Sequence, residues 1–250
     1  MRESAAVPTN ADRVFYQAET HYFDDPEFYR RQVPVLESYM ASYRDMLADF
    51  AAGGRKLRML ELGAGSCMTS LLLSREPWIE SMHCVDISAA RMKASATVAA
   101  KRVGGRLDLL TFGEADFSYP LTTLADGAYD VVLFDAALHH TRNMWLTLQE
   151  CRRVLVDDGL LVAQRELYLA RWTSKFVLRR ALDSREVRSG VSENAYLREQ
   201  YNYYFRANGF RPRFIPAAPG RLRWISFLNG LVFSKWTIVA ERRPETPVVG

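Results

Sequence analysis

Cysteine is scarce in this chain of 250 residues: Cys67, Cys84 and Cys151 are the three, with no CxxC spacing among them. An odd count without that spacing excludes a disulfide framework and a finger-type zinc site, and leaves each thiol to be read as a small buried hydrophobe. Long apolar runs are missing as well. No stretch of about 18 apolar residues occurs, and the opening MRESAAVPTN lacks the basic-then-apolar order of a secretory leader, so the expectation is a cytoplasmic protein without membrane insertion. A large excess of one charge is also absent. The net charge of +4 is too small to mark a nucleic-acid partner unless it is concentrated somewhere.

What is present is an ordinary globular composition, 48% hydrophobic and 25% charged, enough for one sizeable core. The charge is uneven. Residues 1–50 hold five arginines against nine acidic residues, whereas residues 165–188 hold seven basic residues against three acidic ones. The second stretch can form a local basic face.

From Asp25-Pro26 onward, apolar positions from Val35 to Phe50 recur at three- and four-residue steps until Gly53-Gly54. This fits an amphipathic helix capped by Asp25 with proline in its first turn. The pattern then changes to short apolar runs alternating with helical stretches, the signature of a mostly parallel sheet covered by helices. Strands are expected at Leu57–Leu62, Met82–Val85, Leu107–Phe112, Asp130–Phe134, Leu160–Ala163, Arg213–Ile215 and Lys235–Glu241. The alanine-rich run Ala89–Arg102 is the clearest helix between them, with Ser88 as its expected N-cap, and a later helix opens at Ser192 and ends at Asn208-Gly209. The chain thus divides into an N-terminal helical cap or lid (1–54), an α/β core (55–164 and 192–243), a basic insertion after the fifth strand (165–191) and a tail (244–250). The apolar stretch from Trp224 to Phe233 reads as core or as a substrate wall.

The chemistry gathers at strand ends. Glu61-Leu62-Gly63-Ala64-Gly65 sets a carboxylate at the end of the first strand and two glycines in the turn to a helix, where the backbone can approach a ligand closely. Asp86 falls nineteen residues past Cys67, at the end of the second strand, where a carboxylate can accept both hydroxyls of a ribose. These features point to a nucleoside site. A dinucleotide fingerprint would need Gly or Ala at position 68, which is Met68, so pyrophosphate binding is disfavoured. After the third strand, Asp116 and Phe117 supply a carboxylate and an aromatic ring suited to an adenine, although a loop carboxylate at such a place also caps turns.

In order and spacing, LELGAGS, VDIS, EADF, YDVVLFDAALHH and CRRVLVDDGLLV resemble the class I S-adenosylmethionine-dependent methyltransferases over residues 56–165, with Lys235–Glu241 as a further match. The resemblance implies a Rossmann-like seven-stranded, mostly parallel sheet with a reversed last strand, an N-terminal helical lid and an insertion after strand 5. By resemblance, Glu61, Gly63, Ala64 and Gly65 form the first cofactor loop, Asp86 holds the ribose and Ile87 packs on the adenine. Asp116 and Phe117 take the adenine edge, and Asp135 lies near the methionine part of S-adenosylmethionine. Cys67 stands where many members have a third glycine, and Asp157-Asp158-Gly159 replaces their commoner Pro-Gly-Gly turn.

Methyl transfer from a sulfonium is an in-line displacement, so holding nucleophile and methyl together and excluding water come first. A hydroxyl or protonated amine acceptor must also lose a proton, for which His139 and His140 are the candidate bases, with a structural role as the alternative for each. Asp135 and His139 alone make a poor metal site, so none is expected. His83 reads as a hydrogen-bonded core residue, while His21 with Tyr16, Tyr22 and Phe23 reads as part of the lid. Tyr196, Tyr201, Tyr203 and Tyr204 line an acceptor pocket or form a buried helix face. Arg171, Lys175, Arg179 and Arg180, with Trp172 and Phe176, suit a phosphorylated or carrier-bound acceptor or form a solvated helix face. The expected acceptor is a small molecule, a secondary metabolite or a sugar or glycan, methylated on O, N or C, with S-adenosylhomocysteine as the other product. No base-amino or cytosine-carbon methyltransferase segment is present, so nucleic acid is not expected. The main alternative is the same cofactor fold put to cyclisation or decarboxylation, followed by a nicotinamide oxidoreductase and a pocket kept without chemistry.

Overall fold

The computed structural model describes residues 13–15, 25–169, 185–216 and 234–244. Helices α1 (Pro26–Met40) and α2 (Arg44–Phe50) come first, and Asp25 caps α1 by accepting from the Glu27 N–H at 2.9 Å. The single helix expected here breaks at Tyr43, whose ring is fully buried and whose hydroxyl donates to Gln164 at 2.8 Å. The core then runs β1 (Leu57–Leu62), α3 (Met68–Leu73), β2 (Ile79–Asp86), α4 (Ala89–Val103), β3 (Leu110–Glu114), β4 (Tyr129–Asp135), α5 (Met144–Val154) and β5 (Leu155–Leu169). After it come α6 (Arg185–Arg188), β6 (Tyr196–Leu197), α7 (Arg198–Ala207), β7 (Phe210–Pro216) and β8 (Ser234–Arg242).

The sheet order is β3-β2-β1-β4-β5-β8-β7, with the two-residue β6 pairing to β5 beside that path. β8 runs antiparallel to both neighbours, so the seven-stranded path has the reversed last strand expected of it. Side chains alternate across the sheet, as a strand's two-residue period requires. Met59, Val131, Leu133 and Val162 join one core with α1 to α4, while Leu60, Val132, Phe134, Leu161 and Ala163 join a second with α5 and α7. Burial on both faces explains why these strands read as continuous apolar runs. β1 and β4 are adjacent although the chain departs from them in opposite directions, and ligands of such sheets lie at the carboxyl ends of that switch point.

Strand ends differ from the sequence reading in two informative ways. Leu107–Leu109 form a 3-10 turn, and β3 starts at Leu110. β5 continues to Leu169, past a bulge: Ala163 pairs with Ile238 and Glu166 with Trp236, so β5 carries one residue more than β8 in between. The expected roles of Arg171, Trp172, Lys175, Phe176, Arg179, Arg180, Trp224 to Phe233 and the Tyr16 to Phe23 lid concern positions outside the described residues. No described helix is long and apolar enough to cross a membrane, and the three cysteines are free and buried.

Candidate active site

A cavity of about 640 Å³, counting its open mouth, lies at the carboxyl ends of β1, β2 and β4. Gly63, Gly65, Asp86, Ile87, Asp116, Phe117 and His140 line it. Both glycines are required by the backbone. Gly63 has φ +72°, and a Cβ there would sit 2.7 Å from that of Ala137, while Gly65 has φ +54°. The Gly65 N–H donates to Asp86 Oδ2 at 2.9 Å, which ties the first loop to the end of β2. Asp86 Oδ1 accepts from the Ser88 N–H at 3.3 Å and from Arg91 at 3.4 Å. The carboxylate is thereby aimed into the cavity with a loose cation contact that a ligand hydroxyl can replace. Asp116 both lines the cavity and caps its own turn by accepting from the Ser118 N–H at 2.9 Å. Phe117 is braced edge-on against Phe134.

Other expected site residues stand behind this wall. Glu61 is 1% exposed and accepts from the Ser70 hydroxyl, and burial pushes its carboxyl up to about 8. Ala64 is buried, its N–H donating to the Val85 carbonyl at 3.2 Å. Cys67 takes φ +58°, a conformation natural to glycine, but its side chain is fully buried and does not narrow the cavity. Asp135 is engaged by Thr69 at 2.6 Å and Arg165 at 2.5 Å. Ser88 takes the extended N-cap conformation without a side-chain cap bond, and the Glu114 carboxylate accepts from the N–H of Ala89 at 3.1 Å.

His139 and His140 lie on a 3-10 turn, Leu138–His140, just past β4. His140 faces the cavity, whereas His139 is buried against Glu166. One carboxylate oxygen of Glu166 accepts the N–H groups of Ala137 and Leu138, each at 3.1 Å, and the other accepts the His139 N–H at 3.1 Å and meets its Nδ1 at 2.7 Å. Burial alone would raise this carboxyl, but the imidazole and the backbone N–H groups hold it below the usual carboxylate range. An ionised carboxylate only accepts, so the His139 ring presents an N–H from Nδ1 to Glu166. Glu193 approaches from the far side, 3.7 Å from His139 Nε2 and 3.1 Å from His140 Nδ1. Burial disfavours a charged His140, yet hydrogen bonding to Glu193 and the Ser192 carbonyl raises its basicity overall. Asn194 locks the turn, its side-chain amide donating to the carbonyls of His139 and Thr141 at 3.0 and 2.9 Å.

The β5 bulge is what makes this pair. Leu160, Val162 and Gln164 face the α1 to α4 side, and without the extra residue Glu166 would follow them by parity. With it, Glu166 turns to the opposite face, beneath the histidine turn.

Residues 60–163 match the family described as methyltransferase domain. The chain carries a class I S-adenosylmethionine-dependent methyltransferase domain. A non-reducing polyketide synthase, mapC of Penicillium roqueforti, is 28% identical in an alignment 138 residues long that covers 51% of this chain and 5% of that far longer protein. Among solved structures, the CurJ carbon methyltransferase aligns with TM-score 0.55 at 23% identity, covering 76% of this chain and 50% of that one. A complex of the trans-methyltransferase CalH with SAH aligns with TM-score 0.54 at 20% identity, covering 75% of this chain and 51% of that one. The cofactor of a domain of this family is S-adenosylmethionine, and the cavity fits it. A buried carboxylate that could take a ribose, a loop in which Gly63 admits no Cβ, and an Ile87, Asp116 and Phe117 face that could take a purine stand together.

The structure therefore brings together Gly63, Gly65, Asp86, Ile87, Asp116, Phe117 and His140, and sets Glu61, Ala64, Asp135 and His139 outside the cavity wall. Sequence reasoning missed Arg91, Ser118, Ala136 and Ala137 in the lining, and Glu166, Glu193 and Arg165 around it. Arg91 follows Asp86 by five residues and faces it from the first turn of α4, a placement that helical geometry foretells once Asp86 is placed. Glu166 had no such signal, because the bulge reverses its face. His83, expected as a core residue, hydrogen-bonds the Tyr129 hydroxyl at 2.6 Å.

Proposed function

We propose that this methyltransferase alkylates an activated carbon of a small acyl acceptor of the polyketide kind, flanked by carbonyl groups, with His139 as the base that removes the proton. The observation that carries this reading is the buried His139–Glu166 dyad, whose 2.7 Å contact engages Nδ1 and turns Nε2 away from Glu166. A base is of most use to an acceptor whose nucleophile exists only after deprotonation, and a carbon acid is such an acceptor. The likeness to the polyketide synthase mapC and to the CurJ carbon methyltransferase supports carbon as the atom and an acyl chain as the substrate class. When bound, S-adenosylmethionine supplies an electrophilic methyl group. Asp86 accepts from the ribose hydroxyls, Ile87, Asp116 and Phe117 hold the adenine, and the Gly63–Gly65 loop brings the backbone close. His139 takes the acceptor proton on Nε2, Glu166 stabilises the imidazolium through Nδ1, and Glu193 adds a second carboxylate nearby. His140 borders the cavity as a positioning group.

The test is a product analysis with methyl-labelled S-adenosylmethionine and a β-ketoacyl thioester. Label on the α-carbon with one equivalent of S-adenosylhomocysteine is the expected result. Label on oxygen would move the reading to an O-methyltransferase, and turnover of the thioester without label would overturn methylation of this acceptor class.

A further inference from the structure

Sequence spacing pairs His139 only with Asp135, a poor metal site, and the structure gives Asp135 to Thr69 and Arg165 instead. Two other donors come to His139. His139 and His140 follow each other on the Leu138–His140 turn, and their ring centroids are 4.2 Å apart. Glu193 reaches both, with one oxygen 3.7 Å from His139 Nε2 and the other 3.1 Å from His140 Nδ1. One donor atom from each of the three lies within 4.8 Å of the other two.

Bond lengths of about 2.0–2.2 Å put neighbouring donors of a tetrahedral zinc ion about 3.3–3.6 Å apart. The two contacts to Glu193 bracket that spacing. Two imidazoles and a carboxylate suit a transition ion such as Zn²⁺ and make a poor set for Mg²⁺ or Ca²⁺, which ask for oxygen. The surroundings of the donors fit as well. A metal-binding histidine nearly always gives its other ring N–H to a carboxylate, carbonyl or water, and His139 Nδ1 meets Glu166 at 2.7 Å. Asn194 holds the turn by donating to the carbonyls of His139 and Thr141, so the donors are gathered before an ion arrives. His140 Nδ1 also lies 2.8 Å from the Ser192 carbonyl; an ion taken up at Nδ1 replaces the proton between them and has that oxygen as a neighbour. The three side chains are 9%, 22% and 20% exposed, and His140 opens on the cofactor cavity, which gives an ion its way in.

We propose that His139, His140 and Glu193 form a binding site for a divalent transition ion of the Zn²⁺ class, and that the ion silences the methyltransferase. The ion and the acceptor's proton compete for the same atom, His139 Nε2. The binding stands on the geometry of the three donors, whereas the silencing rests on the proposed role of His139 as the base.

The test is a calorimetric titration of the full chain, free of tags and stripped with a chelator, with Zn²⁺ and separately with Mg²⁺. Methyl transfer to a β-ketoacyl thioester is then followed over the same range of free Zn²⁺. One equivalent of Zn²⁺ should bind, with no binding of Mg²⁺ at the same concentrations. Glu166→Gln, which changes only the partner of a donor, should weaken Zn²⁺ by about 10–100-fold. Glu193→Gln and His140→Ala each remove a donor and should weaken it at least as much, with S-adenosylhomocysteine binding kept as the sign of a folded variant. Turnover should fall as Zn²⁺ fills the site, and Glu193→Gln should need about tenfold more Zn²⁺ or above for the same fractional loss. No binding of Zn²⁺, or binding equal in the wild type and in both donor variants, would overturn the site. Turnover unchanged or raised by bound Zn²⁺ would overturn the silencing. If the thioester is not methylated, the acceptor reading fails while the titration still decides the site.

Discussion

Glu61 and Glu166 are equally buried, each 1% exposed, at the carboxyl ends of β1 and β5, yet they hold opposite charge states. Glu61 has a serine hydroxyl as its hydrogen-bond partner and lies near the carboxylates of Asp135 and Asp86, so burial drives it up to about 8 and it is largely protonated at neutral pH. Glu166 has three fixed backbone N–H groups and an imidazole, and it stays ionised under the same burial. Donors fixed in place, more than depth, decide which buried carboxyl carries charge. The neutral glutamate packs behind β1 against Ser70 of α3, while the ionised one holds the turn that carries His139.

The comparison can be broken most directly at the base itself. His139→Ala should lower turnover by about 10²–10⁴-fold while S-adenosylhomocysteine affinity stays within about twofold, read by steady-state kinetics and calorimetry. Equal turnover would make the histidine a structural residue. Glu166→Gln keeps the shape and removes the charge, and should cost about 10–100-fold in turnover. The pH–rate profile sharpens it, since a profile unmoved by the substitution would detach Glu166 from the chemistry.

At the adenosine end, Asp86→Ala should weaken cofactor binding by about 1.5–3 kcal/mol, visible as a smaller thermal shift with S-adenosylhomocysteine. Full retention of that shift would remove Asp86 from the ribose site.

The effect that addresses the two glutamates together is on stability. Glu61 ordinarily titrates near 4.5 and is raised to about 8 in the folded protein, so the folded state binds a proton that the unfolded state has lost between those values. Its contribution is therefore full below about 4.5 and is lost as pH rises toward 8, at roughly 1 kcal/mol per pH unit. Glu166 runs the other way, since its folded value is depressed and its contribution is lost as the solution is acidified. Denaturant unfolding of Glu61→Gln across that range should lose the alkaline decline, and an unchanged slope would contradict the neutral reading of Glu61.

Much of the cavity lining was legible in the sequence. Gly63, Gly65, Asp86, Asp116 and Phe117 follow their strands at short, fixed distances, and backbone geometry carries such a pattern directly into space. The sheet was legible for a similar reason: strands buried on both faces must be apolar throughout, and helices between them must be amphipathic. The β5 end was not. A bulge adds one residue without a mark in composition, so a period-two reading puts Glu166 on the wrong face and hides its contact with a histidine twenty-seven positions earlier. Arg165 was obscured for the same reason: it read as one charge of a basic segment, whereas the bulge gives it a positive φ and a bond to Asp135. Asp135 was expected beside the cofactor's methionine part; the structure places it one residue behind the wall, with partners already in hand.

The central claim is that a buried His139–Glu166 pair removes a proton from a carbon acid at an S-adenosylmethionine site. It is tested most directly by proton NMR of a β-ketoacyl thioester in deuterated water with S-adenosylhomocysteine bound, so that exchange at the α-carbon is read apart from methyl transfer. The wild-type protein should exchange the α-proton well above the uncatalysed rate, and His139→Ala should return it to that rate. Exchange by His139→Ala as fast as by the wild type, or no catalysed exchange by either, would contradict the account.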